Sequence, residues 1–231
     1  MSRKPKRFPL ILSSDDIKKI LIAILSRSRN GGVHEFIEMR DATMVWLAYN
    51  LGLRPKETRL IKMDDLNLEK QELYIPAENN KQRQQDVMPI PDFLFKSICK
   101  YLSLRNRYFY GSQWLFPREG ITNEDLPVNR STHSCMFRKA LIKAELYKVA
   151  YKDAGNLKRA NFNLYSLRHS FASRVYDRTN HDIKKTALCL RHYDWQFRTT
   201  MRYIHTTNGT TRKGLMEELF NIPEKPKELE V

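Results

Sequence analysis

Residues Leu164 to His205 read LYSLRHSFASRVYDRTNHDIKKTALCLRHYDWQFRTTMRYIH and form two blocks with the periodicity of helices. In the first block, apolar residues recur at helical spacing and predict one buried stripe, made of Leu164, Leu167, Phe171 and Val175. Arg168 follows at the edge of this stripe, with Tyr165 one turn earlier, so we expect a half-buried arginine with a fixed direction. The second block ends in two threonines that can cap a short helix just ahead of Tyr203. Tyr203 is therefore a candidate nucleophile.

The composition indicates a globular protein with a strongly basic surface. The 231 residues are enough for one substantial core, and 41% of them are hydrophobic. The chain has 41 Lys and Arg against 26 Asp and Glu, which gives a formal net charge of +15. This excess of positive charge points to a polyanion as partner, and nucleic acid is the polyanion we favour.

Cysteine usage and the amino terminus indicate a cytoplasmic, nucleoid-associated protein. Cys99, Cys135 and Cys189 are scattered, with no CxxC pair and no histidine at metal-ligand spacing, so we expect reduced packing residues. The sequence has no apolar run of membrane-spanning length. The basic lead over residues 1–11 lacks the apolar core of a signal peptide.

The predicted fold class is mainly α with a small antiparallel β-sheet, an α+β arrangement. Ser13, Ser14 and two aspartates offer an N-cap and first-turn acids to a helix over Ile17–Leu25. Further helical patterns lie at Glu35–Leu51, Asp92–Leu104, Ser131–Tyr147 and Gly214–Phe220. Gly52 is the expected stop of the helix before it.

Two strand-like runs, Glu72–Pro76 and Asp86–Ile90, predict a hairpin with a long basic loop, AENNKQRQQ. Lys81 and Arg83 lie in that loop. A second basic stretch, YKDAGNLKRANFN, is expected to be a loop that leads into the segment from Leu164 onward.

Arg54 is predicted to stand at the entrance of a short helix. It precedes Pro55, which disfavours helical geometry for Arg54 but suits the first position of a new helix. Glu57 follows one turn later. Taken alone, such an arginine is usually solvated, and Glu57 could simply be its ion-pair partner.

The residues together suit the cleavage of a DNA backbone without a metal ion, because no Asp, Glu or His cluster has the spacing of a two-metal site. Two arginines can bind the non-bridging oxygens of a phosphate by bidentate hydrogen bonds. A tyrosine can form a covalent phosphodiester, and a lysine on a mobile loop can protonate the leaving oxygen. No cofactor is required, since the covalent link conserves the bond energy.

This ordered set resembles the catalytic domain of the tyrosine recombinases, the family that includes phage integrases and Xer recombinases. NLGLRPKETRLIKMDDLN resembles the family's first box, which makes Arg54 the first catalytic arginine and Glu57 its accompanying acid. Lys81, eight residues before Pro89, falls where the family's catalytic lysine is expected. LYSLRHSFAS is similar to the His-x-x-Arg-His box and gives Arg168 as the second catalytic arginine.

Two further segments match the family's ending. LCLRHYDW resembles the Leu-Gly-His segment and gives His192 a contact with the scissile phosphate. TTMRYIH is similar to the Thr-Thr-x-x-Tyr-x-His ending and assigns the nucleophile to Tyr203. Tyr193 is a distant second because it lacks the two threonines. The eleven-residue spacing from His192 to Tyr203 implies a small insertion.

Two positions depart from the family pattern. Tyr165 stands where the family has a histidine, and a phenol can donate a hydrogen bond to phosphate but is a poor proton shuttle near neutral pH. Arg191 stands where the family has a glycine. The departure at Tyr165 leaves phosphate binding intact and affects proton transfer.

The resemblance implies a tyrosine recombinase catalytic-domain fold over residues 12–220, followed by a charged tail over 221–231. We expect a chain without the family's amino-terminal core-binding domain, and the Met-Ser start slightly favours a stand-alone module like the fimbrial switch recombinases over a fragment. The implied activity is site-specific recombination of double-stranded DNA through a 3′-phosphotyrosine link. The expected assembly is a homotetramer on paired DNA sites. Candidate contacts to the DNA are Arg83, Lys158, Arg159 and Arg202.

Two other functions stay open. A type IB topoisomerase or a telomere-resolving enzyme would use a similar site without the same requirement for a DNA sequence. A non-catalytic DNA-binding or regulatory protein could retain the fold, and the departures at Tyr165 and Arg191 motivate this alternative.

Overall fold

Helices dominate the chain, and a small antiparallel sheet lies between the third and fourth of them. A computed structural model describes residues 10–26, 32–79, 83–119, 124–152 and 158–192. The helices are α1 (Ser14–Leu25), α2 (Val33–Leu51), α3 (Pro55–Arg59), α4 (Asp92–Phe109), α5 (Arg130–Lys143), α6 (Leu164–Arg178) and α7 (Ile183–Cys189). The strands are β1 (Leu66–Asn67), β2 (Glu72–Ile75), β3 (Asp86–Pro89), β4 (Val149–Lys152) and β5 (Lys158–Ala160). The predicted fold class is confirmed.

Helix α2 is the central element, and it is buried on nearly all sides. Phe36, Met44 and Leu47 on one side join a core cluster with α4 and the sheet. Val45 and Tyr49 on the other side join a second cluster with α1, α5 and α6. Arg40 and Asp41 of the same helix are buried as well, so α2 faces protein on nearly all sides and shows no single apolar stripe.

The sheet has the order β1-β2-β3, and each neighbouring pair is antiparallel. The hairpin of β2 and β3 is the one that the sequence predicts, with Leu73 opposite Met88 and Tyr74 opposite Val87. Leu73 is buried while its neighbour Tyr74 is exposed, as the alternation of a strand with one buried face requires. The sheet therefore packs one face on the first core cluster.

The predicted N-cap of α1 and the predicted stop of α2 are confirmed, whereas α1 begins at Ser14 rather than Ile17 and α2 at Val33 rather than Glu35. The side chain of Ser13 accepts a hydrogen bond from the Asp16 backbone at 3.1 Å, and the Asp16 carboxylate accepts one from the Ser13 backbone at 2.9 Å. This reciprocal pair caps α1. Helix α2 ends at Gly52, which has a left-handed φ of 61°.

Three further sequence predictions about secondary structure are wrong. Helix α4 continues five residues past Leu104. The extra turn is stabilised because Phe109 packs on the ring of Phe36, with the ring centroids 4.7 Å apart. Helix α5 ends at Lys143 rather than Tyr147, because Glu145 has a φ of 59° that no α-helix accommodates.

The third error concerns the basic stretch YKDAGNLKRANFN. It was expected to be a loop, but β4 and β5 pair across it as an antiparallel hairpin, with Lys152 opposite Lys158. Lysine and asparagine have low strand propensity, so the composition masked a pairing that the backbone makes. Within the residues that the structure describes, no helix is long and apolar enough to cross a membrane.

Candidate active site

Arg54 and Glu57 form one wall of the site at the start of α3. Arg54 has the extended geometry of an N-cap residue, with φ −72° and ψ 152°, and Pro55 follows it in the first helical position. The Arg54 backbone N–H donates to Oε2 of Glu57 at 2.7 Å, and Nη1 of Arg54 donates to Oε1 at 2.6 Å. Glu57 is almost fully buried, whereas the Arg54 side chain is 18% exposed. Arg54 can therefore be reached from solvent.

Arg168 comes to the same place from α6. Its Nη1 donates to the carbonyl of Gly52 at 2.5 Å, and its Nη2 donates to the carbonyl of Leu190 at 2.5 Å. The prediction that Arg168 is half-buried is wrong, because only 1% of the residue is exposed. The two carbonyls compensate for the loss of water around the guanidinium, which makes this burial possible.

Gly52 makes the meeting of α2 and α6 possible. A Cβ atom at this position would overlap the ring of Phe171 on α6, and the left-handed φ of 61° also favours glycine. With no side chain there, α6 approaches closely enough for Arg168 to reach the Gly52 carbonyl. The expected stop of α2 thus also brings the two arginine-bearing segments together.

His192 reaches the site from the end of α7, and it is neutral. The His192 N–H donates to the Ala187 carbonyl and the Arg191 N–H to that of Leu188, which is a Schellman motif at the helix end. Nε2 of His192 lies 3.3 Å from Nη2 of Arg168. An arginine can only donate, so Nε2 accepts this bond and the ring is neutral. Burial, together with the charges of Arg168, Arg54 and Arg191, lowers the pKa of His192 to about 3.

Arg191 is the third cation of the site, although the sequence presents it only as a departure from a glycine. Its Nη2 donates to Oε2 of Glu57 at 2.6 Å, and its Nη1 contacts the sulfur of Met88 on β3. Burial alone would raise the pKa of the Glu57 carboxyl, but the charges of Arg191, Arg54 and Arg168 outweigh it and hold that pKa below its usual range. Glu57 is therefore ionised at neutral pH.

The structure brings together four of the predicted site residues, which are Arg54, Glu57, Arg168 and His192. The segments that carry Arg54 and Arg168 are more than a hundred residues apart, so the fold alone creates this cluster. A cluster of several guanidiniums, one buried carboxylate and a neutral imidazole suits an oxyanion such as a phosphodiester.

The structure describes some of the other predicted site residues but not all of them. Tyr165 lies in the first turn of α6 and is 53% exposed. Arg83 is exposed, with a left-handed φ of 51°, just before β3. Lys158 and Arg159 lie in β5, of which the structure describes the backbone. Lys81, Arg202, Tyr203, the alternative Tyr193 and the predicted helix Gly214–Phe220 lie outside the described residues.

One group of basic residues was missed by the sequence analysis. Arg59 at the end of α3 donates to the Val128 carbonyl at 3.2 Å, close to the start of α5. Burial, followed by the charges of Arg118 and Arg130, lowers the pKa of Arg59. The three arginines are separated in sequence and carry no common motif, so only the folded chain reveals that they are neighbours. We call Arg59, Arg118 and Arg130 the α5 arginine cluster.

No group of three or more His, Cys, Asp or Glu that could hold a metal ion occurs in the described ranges. Cys99, Cys135 and Cys189 are free thiols. Cys99 and Cys189 are partly buried, but Cys135 is exposed, so the prediction of a packing residue is wrong at that position.

Comparison with known proteins points to one family. The model of the phage integrase family matches residues 11–209. The chain is similar to tyrosine recombinase XerC of Caldanaerobacter subterraneus, with 27% identity over 90% of the chain and 51% of the relative. It is also similar to tyrosine recombinase XerA of Pyrococcus furiosus, with 26% identity over 94% of the chain and 66% of the relative. The chain thus spans between half and two thirds of the length of these relatives.

Solved structures show the same fold. The chain superposes on XerH site-specific recombinase, a pre-cleavage complex with difH substrate, with a TM-score of 0.66 and 19% identity. The superposition covers 96% of the chain and 56% of XerH.

Proposed function

Because the chain belongs to the phage integrase family, we propose that it is a site-specific DNA recombinase that cuts and rejoins DNA through a covalent 3′-phosphotyrosine intermediate. The observation that carries this proposal is the convergence of Arg54 and Arg168 around Glu57 and His192. These residues come from three remote segments of the chain, and their shared chemistry is the binding of an anionic oxygen.

In this proposal, the arginines hold the scissile phosphate. Arg54 keeps part of its side chain exposed and meets the phosphate first. Arg168 is saturated by neutral carbonyls, and a charge-assisted bond to a phosphate oxygen is stronger than a bond to a carbonyl, so the phosphate replaces one of these partners. Both guanidiniums then stabilise the extra negative charge of the transition state.

His192 has a positioning role in this scheme. A ring with a pKa near 3 holds no second proton at neutral pH, so His192 does not act as the general acid. Its Nε2 accepts a bond from Arg168 in the DNA-free protein. The imidazole thus orients the guanidinium, and it contacts the phosphate once DNA is bound. Tyr165, on the exposed start of α6, adds a phenolic hydrogen bond to a phosphate oxygen.

The covalent step balances without a cofactor. The phenolic oxygen of Tyr203 attacks phosphorus and its proton passes to water, the bond from phosphorus to the 5′ oxygen breaks, and Lys81 supplies a proton to that oxygen. The 3′-phosphotyrosine link keeps the energy of the broken bond, so a 5′ hydroxyl from a second strand can reverse the step. Strand exchange follows when four protomers assemble on two paired sites.

The partner in this proposal is double-stranded DNA. The net charge of +15 and the α5 arginine cluster support it, since Arg59, whose pKa is lowered by burial and by the charges of Arg118 and Arg130, lies in a positive group that suits backbone phosphates. Arg83, Lys158, Arg159 and Arg202 are proposed to add contacts outside the catalytic pocket. These contacts make affinity sensitive to salt without specifying a base.

The test is covalent trapping on nicked suicide substrates taken from the chain's own genomic neighbourhood. The wild-type protein should give a covalent protein–DNA band on a denaturing gel, and Tyr203→Phe should give none while binding the same DNA. A covalent band with Tyr203→Phe would refute the nucleophile assignment. Tight binding without any covalent product would support a regulatory DNA-binding protein. Relaxation of supercoiled plasmid with no sequence requirement would support a topoisomerase instead.

A further inference from the structure

Arg191 occupies a backbone position that disfavours it. It is the first residue beyond the cap of α7, with a left-handed φ of 55°, where helix ends usually place glycine. A side chain in this conformation costs about 1 kcal/mol relative to glycine. Such strain persists where the surroundings compensate for it, and it is common at functional sites. The contacts of the side chain therefore need to account for the arginine.

The guanidinium of Arg191 links the end of α7 to two other elements, α3 and β3. Arg191 is only 5% exposed, and its guanidinium reaches Oε2 of Glu57 on α3 at 2.6 Å. Its Nε lies 3.8 Å from Oδ2 of Asp86, and its Nη1 contacts Met88, so the same side chain also holds β3. The end of α7, the start of α3 and the β2–β3 hairpin are thus fixed relative to one another.

The Glu57 carboxylate passes this constraint to Arg54. Its Oε2 accepts from both Arg191 and the Arg54 backbone, while its Oε1 accepts from Nη1 of Arg54. With one oxygen held from two sides, the plane of the carboxylate cannot turn, and the direction of the Arg54 guanidinium is fixed with it. Without Arg191, Oε2 of Glu57 would lose one of its two hydrogen bonds, and the carboxylate could rotate.

We propose that Arg191 is a positioning residue of the phosphate pocket, which acts through Glu57 to hold Arg54 in the orientation that binds the scissile phosphate. This inference rests on the proposed recombinase function. Arg191 also gives the Glu57 carboxylate a second ion pair, which a glycine at position 191 could not form.

The test compares Arg191→Gly with Arg191→Lys, and with Glu145→Gly as a matched control. Glu145 is exposed and has a left-handed φ of 59°, so glycine relieves similar backbone strain there far from the pocket contacts described above. The measurements are the single-turnover rate of covalent complex formation at saturating suicide substrate, the affinity for uncleaved DNA, and the melting temperature. Arg191→Asn, which tolerates a left-handed φ, replaces Arg191→Gly if that variant does not fold.

Arg191→Gly should form the covalent complex about 10 to 100 times more slowly at saturating DNA, because a displaced arginine misaligns the phosphate. Its affinity for uncleaved DNA should change by less than about threefold, since most phosphate contacts remain. Arg191→Lys should recover part of the rate, and Glu145→Gly should match the wild type.

The pH profile separates positioning from packing. Arg191, Arg54 and Arg168 together keep Glu57 ionised, while Asp86 and the neutral His192 face the same cluster. Losing Arg191 removes the largest of the charges that lower the pKa of Glu57, so the acid limb of the rate profile should move to higher pH. A variant that only loses packing would melt earlier without moving that limb.

Two results would overturn the inference. One is a rate of covalent complex formation for Arg191→Gly that lies within about threefold of the wild-type rate at saturating DNA. Such a change would be much smaller than the loss expected from a misaligned phosphate. The other is a loss confined to melting temperature and DNA affinity. A wild-type protein that forms no covalent complex would refute the proposed function instead, and crystal structures of wild type and Arg191→Gly would still decide whether Arg54 moves.

Discussion

Arg40 and Arg168 are both buried arginines, yet their surroundings differ. Arg40, at 0% exposed, donates to the Asp41 carboxylate from Nε at 3.1 Å and from Nη2 at 2.9 Å. It also contacts the Glu119 carboxylate and the carbonyl of Pro117. Arg168 donates to two carbonyls and to a neutral imidazole, and it lies with two further arginines around Glu57.

The difference separates a structural arginine from a phosphate-binding one. The guanidinium of Arg40 is paired with the carboxylates of Asp41 and Glu119, so its charge is neutralised inside the protein. Around Glu57, three guanidiniums face the carboxylates of Glu57 and Asp86, so this group of described residues carries one more positive than negative charge. A bound anion would relieve that surplus. Substitutions at Arg40 should therefore affect stability, whereas those around Glu57 should affect chemistry.

Arg40→Ala should cause the largest loss of stability. The substitution removes the ion pairs of Arg40 with Asp41 and Glu119 from a buried charge cluster, which costs about 3–5 kcal/mol of unfolding free energy. Urea unfolding should show this loss, while protein that is still folded should cleave DNA at the normal rate. Lys139→Ala on the exposed side of α5 is the control and should change stability little. A specific loss of cleavage in folded Arg40→Ala would blur the distinction between the two regions.

Arg54→Ala should show the opposite pattern. The rate of covalent complex formation should fall about 10²- to 10³-fold, as for other lost transition-state donors. The melting temperature should change little, because Glu57 keeps its bond to Arg191 and the Arg54 side chain is partly exposed. Single-turnover trapping measures the rate, and Arg54→Lys should lie between the two. A rate close to that of the wild type would show that Arg54 does not stabilise the transition state.

Local signals in the sequence were sufficient for α1, α2 and the β2–β3 hairpin. A capping serine, a stopping glycine and alternating strands each act over a few residues. The motifs also identified Arg54, Glu57, Arg168 and His192 as candidates, and the fold brings these four together. The depth of Arg168 was not predictable, because it depends on the carbonyls of Gly52 and Leu190, which are remote in sequence.

Arg191 was seen only as a departure from a glycine. Its bond to Glu57 joins residues 134 positions apart in the chain, so no local sequence pattern predicts it. The α5 arginine cluster was missed for the same reason. The basic stretch before Leu164 was mistaken for a loop because its composition hides a hairpin whose pairing is set by the backbone.

The buried histidines predict a smaller effect that depends on pH. Burial, aided by Arg59 and Arg40, lowers the pKa of His133 to about 3, and His192 behaves alike among the site arginines. The unfolded chain takes up these protons below about pH 6.5 and the folded chain does not. Stability should therefore be greatest above pH 6.5 and should fall by about 1.4 kcal/mol per pH unit for each histidine as the pH drops towards 4.

His133→Gln isolates one of these contributions. Urea unfolding at several pH values should give a slope that is smaller by about one proton than that of the wild type. His181→Gln is the comparison variant, since it removes an exposed histidine in place of a buried one. An unaltered slope in His133→Gln would mean that His133 is protonated in the folded protein.

The smallest expected effect concerns the α5 arginine cluster. Arg130→Ala should weaken DNA binding by a similar factor for every sequence and reduce the salt slope of the affinity by about one. Lys139→Ala is the matched control, because nine residues place it on the opposite face of the same helix. Equal slopes for the two variants would remove the cluster from the DNA interface.

The surplus of positive charge around Glu57 can be tested directly with a DNA substrate whose scissile phosphate carries a methyl group in place of one charged oxygen. If Arg54 acts by neutralising that charge, the deficit of Arg54→Ala should shrink from about a hundredfold or more on ordinary phosphate to about tenfold or less on methylphosphonate. Covalent trapping of wild type and variant on both substrates gives the comparison. An equal deficit on the two substrates would contradict the claim that this cluster binds the phosphate.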